Sequence, residues 1–574
     1  MFKIEYKTQR LALPFFVLMG VLFLVQAGFG FLLALQHNDP ALLQGSLNFN
    51  VARATHLNLG VLWIIAGFIG ALLWTLPLLS KKEVGSPAIA KLLFFALIVV
   101  VGWNVSTLWL AQEGNAGWWG DVPLFQEGLE YIEGGRITDT LILVGFLLFS
   151  WIVYRTLPPR RAWNEFHWGI ALGVGGLTLV WIFGFLFFPE IDKQEYFRWY
   201  IVHYWVEGVW EVIHISIVGF LLVKLFNVSM KAAGYAVFWG ISLVLLSGLI
   251  GNGHHYFWIG TPEVWQFWGS FFSALEPLPM ILCFWHIYLD SHHDTRPIAN
   301  MPAFLFLLGS AVFEQVGAGI LGFTQTFALT NVWEHGTWVS ASHGHLALFG
   351  TFGMLAIGAA YFAIPTIRNV KAFNQRLGVL GFWVMFVGVA GIALCFAFGG
   401  TVQVFVYRVL GLDWYGAEVH TAMALWKALM PVFALVFIGG AGITMYDLWT
   451  IGRRGSIFLD HDAAIDQDEM RRQLVHLPSP WSRRLRLFAL GGWLGAMWLF
   501  GGIITFGLLS FNFDVVRAGD PTLPYVLAGI GYTGLWAVTI AFVARFHLSL
   551  AARRHWSTEA AEAGAPLERV AETA

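Results

Sequence analysis

Apolar runs of about twenty residues recur along almost the whole chain, each long enough to cross a bilayer as a helix. They lie at about 12–36, 56–79, 90–112, 138–157, 167–188, 202–226, 232–258, 266–289, 301–325, 341–364, 376–399, 417–446, 485–511 and 523–547, fourteen in all. Lipid offers no hydrogen-bond partners, so a spanning segment must satisfy its own backbone, and a single run of this kind does so as a helix. The chain is 57% hydrophobic and 12% charged, about half the charged fraction of a soluble domain. The fold class is therefore an all-α polytopic membrane protein.

Charge placement orients the helices. Lys3, Lys7 and Arg10 precede the first run, and Lys81, Lys82 and Lys91 lie between the second and third. Arg155, Arg160 and Arg161 follow the fourth, Arg368, Lys371 and Arg376 the tenth, and Arg453, Arg454, Arg471 and Arg472 the twelfth. These are alternate loops, which the positive-inside rule places in the cytoplasm together with both termini. Several opposite loops are acidic, as with Glu127, Glu130 and Glu133. A net charge of −2 gives no reason to expect nucleic acid as a partner. The two cysteines, Cys283 and Cys395, sit in apolar runs and read as packing thiols. With no CxxCH, the chain attaches no c-type haem covalently and has too few thiolates for an iron–sulfur cluster. Electrons must come from another polypeptide or from quinol.

Ionisable side chains within a membrane need a partner. His56, His203 and the pair His343 and His345 open the second, sixth and tenth runs, which travel from outside to inside. His254 and His255 close the seventh, which travels outward. Six histidines from four helices thus share one layer near the outer surface, which scattered core histidines would not do. Imidazole is the commonest ligand for iron and copper, and a bound metal relieves the cost of burying the ring. The pattern points to a membrane redox enzyme with several metal centres. A solute transporter would not need six histidines in one layer.

Helical geometry divides the set. His343 and His345, two apart, project about 200° apart and must serve different centres. His203 and Glu207, four apart, share a face and can bind one metal. His254 and His255 diverge by about 100°, which still lets both reach one ion. The economical arrangement has one haem held by His56 and one of the tenth-run pair. A second haem is held on one side by the other histidine, and a non-haem metal by His203, His254 and His255, with or without Glu207. A carboxylate in that last set suits iron better than copper.

The segments HYWVEGVWE (203–211), GNGHHYFWIGTP (251–262), SALEPLP (273–279) and SHGHLALFG (342–350) closely resemble the catalytic subunit of bacterial nitric oxide reductases, within the haem–copper oxidase superfamily. The likeness runs from about residue 10 to 446. It implies a twelve-helix catalytic domain over 1–446, to which this chain adds a basic loop (447–484), two further helices (485–547) and a polar tail (548–574). It also implies that His56 and His345 ligate a low-spin haem b and His343 a high-spin haem b. His203, His254, His255 and Glu207 would ligate a non-haem iron, called FeB, and Glu130 would help bind a calcium ion near the haem propionates. Oxygen-reducing relatives place a tyrosine four residues after the first metal histidine; here that position is Glu207. The implied reaction joins two NO into nitrous oxide in the inner membrane of a bacterium. The rivals are an oxygen reductase of the same superfamily and a non-catalytic dihaem electron carrier, though the carrier leaves the HYWVE and HH motifs unexplained.

Further carboxylates lie in the apolar runs. Glu211 is one turn past Glu207 and Glu276 sits in the eighth run, and both are expected to shape the charge near FeB and relay protons. Glu314 has no role derivable from sequence. His335, His420, His292 and His293 read as surface or packing residues. Protons are expected from the outer side, past Glu130, Glu133, Glu190, Asp192 and Glu195, with no membrane potential generated. Cytochrome c-linked relatives end near the twelfth helix, and quinol-linked ones carry a large insertion near the N-terminus that is missing here. The expected donor is a partner subunit carrying haem c or dinuclear copper, or quinol.

Overall fold

The computed structural model describes residues 4–453 and 457–458, except 113, 115, 116, 227–229, 263, 275–299 and 415. Ten helices in the described residues are long and apolar enough to span a membrane: α1 (Lys7–Gln36), α2 (Phe49–Ser80), α3 (Pro87–Gln112), α4 (Arg136–Thr156), α5 (Glu165–Phe185), α6 (Ile191–Lys224), α9 (Met301–Gln325), α10 (Trp338–Ile367), α11 (Arg376–Val409) and α12 (Ala424–Thr450). Between α6 and α9, α7 is segmented into Met230–Trp239, a π turn Gly240–Val244, Leu245–Gly251 and a 3-10 end Asn252–Tyr256. The start of α8 is Val264–Ser273. Most of the eighth expected span, with Glu276, Cys283, His292 and His293, lies outside the described residues. So do the thirteenth and fourteenth spans and the tail.

The helix starts follow from their first residues. The side chains of Asn48 and Asn300 accept from the backbone N–H groups of Val51 and Ala303, three residues on, at 3.0 and 3.1 Å, which satisfies otherwise orphaned donors. At the start of α5, Asn164 accepts from the His167 N–H and returns its own N–H to the His167 ring. α2, α6, α9 and α10 are largely buried and form the interior, whereas α1, α3 and α4 turn apolar faces outward, toward lipid.

The loops gather into two faces. On one, the N–H groups of Lys7 and Thr8 donate to the Glu83 carboxylate, and the Lys82 ammonium donates to the Arg155 and Leu157 carbonyls. The Arg368 guanidinium on that face holds the carbonyls ending α12. This is the face with the basic loops. On the other face, Asn38 reaches the Lys427 carbonyl, Gln112 receives the Asn48 N–H, and the Trp258 indole donates to Asn331. The histidine-bearing ends of α2, α6, α7 and α10 all lie toward this second face.

Backbone irregularity concentrates where the chemistry-bearing residues are. π turns occupy Trp205–Trp210, around Glu207; Glu314–Leu321, beginning at Glu314; and Leu346–Gly353, directly after His345. Wide turns of this kind shift which face a side chain presents and are frequent at functional sites.

Candidate metal and haem centre

α6 and α7 bring four ligating side chains together. The donor atoms of His203, Glu207, His254 and His255 all lie within 4.8 Å of one another. Centroids of the three imidazole rings are 4.9, 5.3 and 4.2 Å apart. His203 Nδ1 sits 3.3 Å from a Glu207 carboxylate oxygen. α7 reaches this position because Gly253 and Gly269 let α7 and α8 touch backbone to backbone: a Cβ on Gly269 would come within 2.4 Å of the Gly253 carbonyl carbon.

Neighbours fix the rings. The Ser273 hydroxyl donates to the Gly251 carbonyl at 3.2 Å, so its lone pair accepts the Nδ1–H of His254 at 2.5 Å. That leaves Nε2 of His254 free to bind a metal, the outer support typical of metal-bound histidines. The ring of His255 lies flat on Trp199, with centroids 4.2 Å apart and planes 3° from parallel.

The α10 histidines turn to opposite sides. His343 donates Nδ1–H to the Gly317 carbonyl on α9 at 2.7 Å, and His345 donates to the Ala341 carbonyl at 2.8 Å. His56 donates to the Gln26 carbonyl at 3.0 Å. His343 and His345 therefore keep Nε2 for a ligand, whereas Nε2 of His56 lies 3.1 Å from the Gln26 side-chain amide nitrogen. The rings of His56 and His345 face each other with centroids 6.2 Å apart. Two imidazole–metal bonds of about 2 Å each, with the ring radii added, span about that distance. Gly30 and Gly322 leave room for the rings, since a Cβ there would approach His56 to 2.8 Å and His343 to 3.1 Å.

A cavity of about 980 Å³ runs past all six histidines together with Glu207, Glu211 and Glu314. That is the upper end of the range for a bound cofactor, and the facing imidazoles and glycine-cleared walls suit flat, metal-centred groups.

The family of cytochrome c and quinol oxidase polypeptide I matches residues 10–442. The chain belongs to that family, within the haem–copper oxidase superfamily. It is 31% identical to a nitric oxide reductase polypeptide of Stutzerimonas stutzeri over 468 residues, covering 79% of this chain and 96% of that protein. A haem–copper terminal oxidase dimer solved by cryo-EM shares the fold with a TM-score of 0.59 at 13% identity, over 89% of this chain and 92% of the other. This oxidase-family chain is accordingly an all-α, multi-pass membrane oxidoreductase subunit whose family carries haem and metal.

Around that framework the structure adds residues that the sequence did not single out. Arg53 lines the cavity and is ion-paired with Glu130, while Arg198 pairs with Glu195 and lies over the Trp199 ring. Glu127 faces Arg136 at 3.4 Å, and Glu133 accepts from Asn58 at 2.8 Å. Burial pushes both of these loop carboxyls up to about 7, against the Arg136 charge for Glu127 and the Asn58 bond for Glu133. Calcium prefers six to eight oxygen ligands. In this structure Glu130 is paired with Arg53, and both carboxylate oxygens of Glu127 are buried without a hydrogen-bond partner among the described residues. Buried His214, on α6, is the other addition. It continues the stripe His203, Glu207, Glu211 one turn further, and that 4-4-3 spacing was the signal that could have found it.

Proposed function

We propose that this chain is the catalytic subunit of a nitric oxide reductase, turning 2 NO, two protons and two electrons into nitrous oxide and water. The observation that carries the reading is Glu207, a carboxylate within reach of the same ion as three imidazoles. A hard oxygen beside nitrogen ligands suits iron over copper, and the relative matched over nearly its whole length belongs to a nitric oxide reductase.

His56 and His345 would hold a low-spin haem b, His343 a high-spin haem b, and His203, His254, His255 and Glu207 the non-haem iron. When bound, the haem and the non-haem iron supply two adjacent reducible centres for two NO. The chain's own residues do the rest. Ser273, Gly317 and Ala341 hold the imidazoles in the ligating tautomer. The apolar walls, with Trp63, Phe349 and Phe352 among them, keep bulk water from the centre. Glu211 lines the cavity and stands ready to exchange protons with it; Glu276 is proposed for the same task. Glu130, paired with Arg53 in the structure, is proposed to help bind a calcium ion. Electrons arrive from a partner polypeptide that carries haem c or dinuclear copper, or from quinol, and the basic loops face the cytoplasm of a bacterium.

The test is NO consumption by the purified complex, with nitrous oxide measured by gas chromatography. Oxygen reduction without NO reduction would assign the chain to the oxygen-reducing branch instead.

A further inference from the structure

The cavity does not end at the histidine layer. It continues toward the face opposite the basic loops, where His37, Trp338, Gln403, His420 and Lys427 line it. Helical rise places this end. The rings of Phe437 and Phe349 pack with centroids 4.7 Å apart. Phe349 lies one turn beyond His345 on α10, whereas Phe437 lies nearly three turns beyond Lys427 on α12, and both helices run toward the basic loops. Lys427 therefore stands roughly 9 Å farther from those loops than His345 does. On α1, Gly30 abuts the His56 ring, and His37 follows about 10 Å farther toward the same end.

This end is rich in donors and poor in acceptors. An ammonium has no lone pair, so Lys427 donates to Nδ1 of His420 at 2.6 Å. That leaves the neutral His420 ring with its proton on Nε2, and the pair has only N–H groups left to offer. Arg53 and Arg198, the other long cations of the lining, are paired with Glu130 and Glu195, whereas Lys427 meets no carboxylate among the described residues. His37 sits against the Phe49 and Trp338 rings, with centroids 5.0 and 4.9 Å away. Burial, and then the Lys427 charge, pull its imidazole down to about 4. Positive groups thus crowd one another here, and a half-buried ammonium is costly unless an anion meets it.

A b-type haem brings such an anion. It carries two propionates on one edge, both charged at neutral pH, and a carboxylate is expensive within the membrane interior. With the iron between His56 and His345, that edge belongs at the end of the cavity farther from the membrane centre, where Lys427 stands about one porphyrin radius away. We infer, on the reading of His56 and His345 as haem ligands, that Lys427 binds a propionate of that haem, with His420 aiming the ammonium and His37 beside it. Ferrous haem carries one positive charge less than ferric haem, so a fixed cation nearby favours the reduced form. Lys427 therefore raises the reduction potential of the low-spin haem. His420, expected from sequence to be a surface or packing residue, is a positioning residue.

The experiment is a redox titration of the low-spin haem band in the purified holoenzyme. Lys427→Met should keep the six-coordinate spectrum and shift the ferric-to-ferrous ratio at a set potential about tenfold toward ferric, a midpoint lower by about 59 mV. Lys427→Arg keeps the charge and should stay within about twofold of the unaltered enzyme. His420→Leu, at an exposed position, should move the midpoint in the same direction as Lys427→Met by a smaller amount. An unchanged midpoint in Lys427→Met would overturn the propionate contact; a higher KM for the electron donor in that case would mark Lys427 as a contact for an acidic partner instead. Equal shifts in Lys427→Met and Lys427→Arg would trace to packing and overturn it as well. If Lys427→Met retains no haem, the His420→Leu midpoint decides, a shift supporting the contact and no shift refuting it. Absence of a six-coordinate low-spin haem from the unaltered enzyme would refute the reading of His56 and His345, and the propionate contact with it.

Discussion

The rings of His56 and His345 stand 6.2 Å apart across the cavity, each with its Nδ1 bonded to a backbone carbonyl. Two helices far apart in sequence thus bring together the pair of imidazoles proposed to hold one haem. His56→Ala or His345→Ala should abolish the six-coordinate low-spin haem spectrum and leave the five-coordinate haem, while His343→Ala should do the reverse. Optical and electron paramagnetic resonance spectra decide this. Loss of the low-spin signal in His343→Ala would mean the two sides of α10 are assigned backwards.

Glu207→Gln keeps the size of the side chain and removes the charge that makes the cluster suit iron. NO turnover should fall at least a hundredfold with both haems retained. A near-normal rate would remove Glu207 from the mechanism.

Ser273→Ala deletes the acceptor that orients His254 but touches no metal. Outer-shell losses of this kind typically cost about 10–100-fold in metal affinity. Non-haem iron should leave the variant at correspondingly lower chelator concentration, with haem content unchanged; equal retention would make the serine contact incidental.

The loop before α4 should respond to pH. Glu127 and Glu133 are raised from 4.5 to about 7 by burial. A carboxyl whose folded pKa exceeds its unfolded one binds its proton more tightly in the folded loop. That stabilisation is complete below about 4.5 and is lost as pH rises through about 7. Hydrogen exchange in residues 122–135, corrected for intrinsic rates, should therefore accelerate between pH about 4.5 and about 7 and level off above that. Protection independent of pH would show that the two carboxyls do not hold the loop.

Much of this was legible in the sequence because membrane helices are regular. A fixed rotation per residue was enough to send His343 and His345 to opposite sides, where the structure has them facing α9 and α2. It also put His203 and Glu207 on one face. What was missed depends on tertiary approach. Arg53 meets Glu130 across a loop whose path no helical period dictates. His214 carries no motif of its own and becomes chemically interesting only when α9 lays Glu314 and Ser310 against it. The π turns, too, left no periodic trace, since each adds a single wide turn inside an otherwise ordinary apolar run.

If three imidazoles and a carboxylate hold iron beside a haem in an enzyme that reduces NO, metal analysis of the purified complex, with haem determined separately, should give two haem b and one non-haem iron per chain, with no copper. One copper per chain, with all iron accounted for by haem, would contradict it.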